Sequence, residues 1–212
     1  MAKHAGMIIA IEGINRAGKS TVVQGAITML RNEGIDVRLG SEMINPVGEA
    51  VKSAVQHDNI DAHAAALMYA AARMQSLHEN VPLLAAGNVL LYDRYIWSSL
   101  VYHGMGCGVQ FVRAINCLVP APAHTVLLDA DPKDLRPRTL RTSVPGKYAK
   151  EQEVQETARR GYLALAEASK STCTVIDATQ EINAVLTAVM DVLREEIAKW
   201  DDEKRKTKSS CG

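Results

Sequence analysis

Aromatic residues make up only 4% of this 212-residue chain, with a single phenylalanine, Phe111. A core built on rings is therefore excluded. Val, Ile, Leu and Ala must form it, and a Tyr or Trp beside charged residues reads as a contact residue. The chain also lacks an excess of either charge, with 24 Lys+Arg against 24 Asp+Glu. A nucleic-acid binder carries a basic surplus for the phosphate backbone, so nucleic acid is not expected as the main partner. The four cysteines (Cys107, Cys117, Cys173, Cys211) form no C-x-x-C pair and no cluster with His. That spacing argues against a zinc site, and the chain length argues against a disulfide framework. No stretch approaches the roughly 18 apolar residues of a membrane span. The apolar run near the start, MIIAIEG, is too short for a signal core and is interrupted by Glu12. The terminal SSCG does not match the prenylation pattern. The expectation is a cytoplasmic protein without a membrane partner.

What the chain does contain is an alternation of short apolar runs and longer helical patterns. Met7–Glu12, Asp36–Gly40, Val89–Tyr92, His124–Asp129 and Thr172–Asp177 read as five strands. Helices are expected over Gly18–Glu33, Val47–Gln56, Ala62–Ala86, Tyr95–His103, Val109–Leu118, Glu151–Ser169 and Gln180–Trp200. Such alternation implies parallel strands joined by crossovers, hence a three-layer α/β/α domain over residues 1–200. Ligands of such sheets lie at the carboxyl ends of the strands. The stretch 136–150, basic and broken by Pro137, Pro145 and Gly146, reads as a short mobile lid, and residues 201–212 as a disordered charged tail.

Gly13-Ile14-Asn15-Arg16-Ala17-Gly18-Lys19-Ser20 follows the first strand and opens the first helix. This is the P-loop pattern in its required context. Gly13 and Gly18 permit close backbone approach, and successive N–H groups with the helix N-terminus form an anion nest over Gly13–Thr21. Lys19 is expected to reach the β- and γ-phosphates of ATP, with Ser20 as a Mg²⁺ ligand. Arg16 would set a permanent cation beside the transferring phosphoryl group. Asn15 either hydrogen-bonds a substrate or stabilises the turn.

The third strand ends in Asp93-Arg94, placing a carboxylate where it can hold Mg²⁺ and a cation that points at the phosphates. Arg94, Ser98 and Tyr102 follow at spacings of four, so they share one helical face. Cation, hydroxyl and aromatic in line suit a ligand with a phosphate, a sugar and a base. Tyr69 and Arg73 repeat the spacing. The lid supplies Arg136, Arg138, Arg141 and Lys147, cations that could close over the triphosphate and exclude water.

Together these residues resemble the thymidylate kinases from about Met7 to Ala178. The loop EG-x-[DN]-x-x-GK-S/T is present as Glu12 to Ser20, and D-R-Y-x-x-S-S-x-x-Y as Asp93 to Tyr102. The resemblance implies that Tyr69 stacks on thymine, Arg73 hydrogen-bonds the base and Ser99 sits near its edge. It implies further that Tyr102 crowds the sugar 2′ position, Arg94 holds the acceptor 5′-phosphate and Glu42 lies close to that phosphate. Tyr148 and Gln155 look like the aromatic and Gln that follow the lid. Asn15 takes the place of a usual Asp, and Ser41–Pro46 lacks the Arg often found next to Glu42. Arg16 is similar to the subgroup that carries its catalytic Arg in the P-loop, and the lid arginines leave the choice of main cation open. The implied reaction is transfer of the γ-phosphoryl group of Mg-ATP to dTMP by a homodimer. A kinase for another deoxynucleoside monophosphate or for a deoxynucleoside is the alternative. A GTPase switch is disfavoured, since no N-K-x-D motif is present.

Overall fold

The computed structural model describes residues 6–56, 60–135 and 148–209. Five strands, β1 (Met7–Gly13), β2 (Val37–Gly40), β3 (Val89–Asp93), β4 (His124–Asp129) and β5 (Cys173–Asp177), form one parallel sheet in the order β2-β3-β1-β4-β5. This is the α/β arrangement expected from the alternating pattern. The chain leaves β1 toward β2 on one side and leaves β3 toward β4 on the other, so the switch point, where a crevice opens, lies between the carboxyl ends of β1 and β3.

Both faces of the sheet are covered, so β1 is buried throughout. Its alternate residues Met7, Ile9 and Ile11 join a cluster with Val22, Val23, Ala26, Ile27 and Leu30 of α1 (Lys19–Asn32). Those α1 positions recur at three- and four-residue steps and make one apolar stripe. On the other face, Ile8 and Ala10 pack with Leu77 and Leu84 of α3 (Ala62–Ala85), which follows α2 (Pro46–Gln56). Each fully buried Ile or Leu contributes about 1.5–3 kcal/mol, so this sandwich holds the strand ends rigidly. Asp61 caps α3 by accepting from the backbone N–H groups of His63 and Ala64.

Four helical expectations are corrected. The single helix expected over Tyr95–His103 is α4 (Ile96–Ser98), a π-helical turn (Ser99–His103) and α5 (Gly104–Cys107). The wide turn lies where tertiary contacts hold the chain from two sides: Glu12 accepts from the Ser98 N–H and Arg73 donates to the Ser99 hydroxyl. Next, α6 (Val109–Ile115) stops before Leu118, at Asn116, whose amide donates back to Val112 and whose oxygen accepts from Arg73. Finally, α7 (Tyr148–Ala168) begins three residues early, directly after the Pro/Gly breakers, and α8 (Ile182–Ser209) runs nine residues past Trp200. Past Trp200, Lys204 lies over the Trp200 ring one turn back, 3.2 Å from its centroid.

Candidate active site

Strand β1 runs straight into the P-loop, and β3 is in register beside it, Ile11 opposite Asp93. That pairing brings the two motifs, eighty residues apart in the chain, to one edge of the sheet. Gly13 has φ 146° and lies against β4, where an added Cβ would press into the carbonyl oxygen of Leu128. Gly18 has φ 92° at the start of α1. Arg16 (φ 67°) and Arg94 (φ 70°) occupy the left-handed region without being glycine. Such backbone costs about 1–3 kcal/mol each and persists where surrounding contacts over-determine it. Here both residues belong to the same crevice.

Lys19 is buried and donates to the Ile14 carbonyl at 2.5 Å, curled across the loop. Burial, and then the charge of Arg94, hold its ammonium well below the ordinary range, while Asp93 and Glu12 pull it back up. An anion in the cradle would pull it up further. Ser20 donates to Asp93 at 2.5 Å. A hydroxyl and a carboxylate oxygen so close together at the loop's mouth suit a hard cation such as Mg²⁺. Among the described residues no group of three His, Cys, Asp or Glu could hold a metal. Arg16 pairs with Glu151 of α7. These residues open onto a cavity of about 700 Å³, lined also by Gly18, Thr21, Ser41, Met43, Arg94 and Ile182.

A second cavity of about 230 Å³ adjoins it, lined by Asn15, Glu42, Tyr69, Arg94, Ser98, Ser99, Tyr102 and His103. Arg94 is the side chain common to both linings. Its Nη1 donates to the Gly13 carbonyl (3.2 Å), Ser98 (3.0 Å) and Tyr162 (3.3 Å), and its Nη2 to Asn15 (2.7 Å). The guanidinium also lies 5.6 Å from the Tyr102 ring centroid. Burial lowers its pKa, but the surrounding Tyr162, Tyr102, Glu12 and Asp93 outweigh that and hold it raised, so it is a fixed cation. The backbone N–H of Asn15 donates to Gln155 (2.9 Å) and to the Tyr102 hydroxyl (3.2 Å), which itself donates to Gln155 (2.9 Å). Arg94, Ser98 and Tyr102 do lie together, but not as one face of a single helix: Arg94 precedes α4 and Tyr102 sits inside the π turn.

Tyr69 meets His103 across the wall of this cavity, centroids 4.6 Å apart. Burial, then the Arg73 charge, lower the His103 pKa to about 4, so the ring is neutral near pH 7. Arg73 is fully buried and absent from the cavity lining. It lies behind the wall, 2.5 Å from Glu42, donating to Ser99 (2.7 Å) and to Asn116. Its Nη2 lies close to Glu42 Oε2 but off the hydrogen-bond axis, and among the described residues neither that oxygen nor Arg73 Nε has an aligned partner. Burial pushes the Glu42 carboxyl up to about 7 against the opposing pull of Arg73.

Of the residues expected from sequence, Asn15, Arg16, Gly18, Lys19, Ser20, Thr21, Glu42, Tyr69, Asp93, Arg94, Ser98, Ser99 and Tyr102 line these two cavities; Gly13 and Gln155 bond to lining residues, and Ala17 is buried within the loop. Arg138 and the other lid cations lie outside the described residues, as does the side chain of Tyr148. The sequence reading gave no role to Glu12, His103, Asn116, Glu151 or Tyr162. Glu12 is wholly buried and accepts from the N–H groups of Tyr95 and Ser98 and from the Ser98 and Tyr162 hydroxyls. Tyr162 carried a usable signal, a tyrosine next to Arg159-Arg160-Gly161 in an aromatic-poor chain.

Comparison with known proteins gives the same direction. The family model described as thymidylate kinase matches residues 11–189. A thymidylate kinase of Ligilactobacillus salivarius is 33% identical over 202 residues, covering 89% of this chain and 97% of that protein. One from Geobacillus sp. is 32% identical over 210 residues, covering 88% and 97%. A probable thymidylate kinase of Pyrobaculum aerophilum is 32% identical over 190 residues, covering 88% and 95%. With the P-loop, the Asp93–Tyr102 signature and the paired cavities already in one crevice, these matches settle the family: the chain belongs to the thymidylate kinases.

Proposed function

We propose that the protein transfers the γ-phosphoryl group of ATP to the 5′-phosphate of dTMP, giving ADP and dTDP. The observation that carries this reading is Arg94, standing between a large phosphate cradle and a smaller aromatic-walled cavity. In it, the acceptor phosphate sits on Arg94 while its base lies toward Tyr69, His103 and Ser99. Tyr102 faces the sugar, and Glu42 and Arg73 stiffen the wall behind. One acceptor oxygen, already anionic near pH 7, attacks the γ-phosphorus as the bond to the β-phosphate oxygen breaks. No strong base is needed, so positioning and charge carry the catalysis. Lys19 and Arg94 neutralise the charge that develops, and Arg16 reaches the same point from the loop. Ser20 and Asp93 are the oxygen donors that would hold Mg²⁺, which when bound shields the charge of the phosphates.

The reading is tested with equal concentrations of dTMP, dUMP, dCMP, dGMP and thymidine, following ADP formation. Turnover should be highest with dTMP. A protein that binds ATP and dTMP yet releases no ADP would refute it, and thymidine as best acceptor would favour the deoxynucleoside alternative. Cytoplasmic location and a homodimer accompany the proposal. No helix among the described residues is long and apolar enough to cross a membrane. Leu67 and Val81 stand exposed on α3, a face that a second copy could cover, which a doubled mass in sedimentation would check.

A further inference from the structure

Helix α7 touches the crevice with one face. Glu151, Gln155 and Tyr162 fall four and seven residues apart, on one side of the helix. Glu151 meets Arg16, and Gln155 meets Asn15 and Tyr102. Tyr162, 1% exposed, reaches deepest, its ring 6.2 Å from that of Tyr102. Gly161 beside it lets the helix come close, since a Cβ there would lie 3.3 Å from Val101 of the π turn.

The hydroxyl of Tyr162 sits among three groups of the acceptor side. It is 3.3 Å from Arg94 Nη1, 2.8 Å from the Ser98 hydroxyl and 3.2 Å from Glu12 Oε2. The proton count gives the network a direction. Arg94 only donates, and it donates to both the Tyr162 and Ser98 oxygens. Ser98 and Tyr162 each pass their own proton to the Glu12 carboxylate. Two hydroxyls therefore relay a buried carboxylate's pull to one end of the guanidinium. With Nη1 engaged there and Nη2 giving one bond to Asn15, the Nε–H and the second Nη2–H have no partner among the described residues. Nε–H together with an Nη2–H is the pair through which a guanidinium grips an oxyanion bidentately.

We propose that Tyr162 is a positioning residue for the acceptor phosphate: its hydroxyl fixes the rotation of Arg94 so that this free edge is presented to the incoming phosphate. Tyr162 touches no substrate and acts through Arg94. Its phenol serves as donor and acceptor at any working pH, because burial and then the Glu12 charge hold its pKa well above the ordinary range. The inference rests on the reading that Arg94 holds the acceptor 5′-phosphate.

The test compares dTMP with thymidine, which differ only by the phosphate, in wild type and Tyr162→Phe. Phenylalanine keeps the ring and its packing and removes the hydroxyl alone. Loss of a hydrogen bond to a charged group corresponds to about a tenfold change in affinity. The dTMP dissociation constant should rise about tenfold, with thymidine and ATP binding unchanged and the KM for dTMP rising more than kcat falls. In an Arg94→Ala background the same substitution should leave the dTMP:thymidine ratio where it was. If wild type binds thymidine as tightly as dTMP, the reading of Arg94 fails and the proposal with it. If wild type prefers dTMP and Tyr162→Phe keeps that preference, the proposal alone fails. A variant that weakens all three ligands alike, or that does not fold, would make the hydroxyl a structural requirement and also overturn it.

Discussion

Glu42 and His103 line the same cavity, and burial shifts their titrations in opposite senses for stability. The Glu42 carboxyl moves from an ordinary 4.5 up to about 7. Its ionisation therefore works against folding: its contribution is whole below pH 4.5 and is lost as pH rises through about 7. At about 1.4 kcal/mol per decade of acidity, this amounts to roughly 3 kcal/mol between those limits. His103 moves from 6.5 down to about 4, so its contribution is whole above pH 6.5 and is lost as pH falls through about 4. It is one of the more solvent-screened groups of the site, and its slope should be the shallower of the two. The two windows overlap between 4.5 and 6.5, and the wild-type profile there is a partial cancellation. Glu42→Gln keeps a neutral group beside Arg73 at every pH, so its absolute stability at a single pH says little by itself. The slope is diagnostic. Urea unfolding at half-unit steps from pH 4.5 to 8 should show stability rising with pH in Glu42→Gln. It should fall more steeply than wild type in His103→Gln. A Glu42→Gln profile parallel to wild type would refute the assignment of a carboxyl titrating near neutrality at this wall.

Two further outcomes follow from the loop. Arg16→Ala should lower kcat about 10²- to 10³-fold while changing ATP affinity less than about threefold, measured by steady-state kinetics and calorimetry; equal losses in both would make Arg16 a simple binding group. Gly13→Ala places a methyl group into the Leu128 carbonyl at φ 146°, and should cost about 2–4 kcal/mol of unfolding free energy; an unchanged urea midpoint would mean that the β1–β4 spacing yields.

The P-loop, the alternation of strands and helices and the Asp93–Tyr102 run were all legible in the chain, because each is a local pattern. Gly13 and Gly18 meet local backbone demands, and a strand buried on both faces has to be apolar whatever covers it. The sequence also named most of the residues that line the crevice, since motifs at strand ends converge in any parallel sheet of this kind. It did not show the π turn between Ser99 and His103, because that turn arises where Glu12 and Arg73 hold Ser98 and Ser99.

Nor did it show which cations are free. Arg73 and Arg94 look alike in sequence, each in step with a tyrosine four or eight residues away. Folding buries Arg73 behind the wall on Glu42, Ser99 and Asn116, and leaves an edge of Arg94 open between two cavities. The same holds for Tyr162 and Glu151, which reach the site only because α7 packs back across β4 and the π turn. Sequence alone determined the phosphate cradle, the sheet and the chemical types available at its edge, for these follow from backbone preferences and hydrophobic period. Tertiary structure alone decided which charge pairs with which. Pairing depends on distance and desolvation between segments far apart in the chain, Glu12 and Tyr162 of this site lying 150 residues apart.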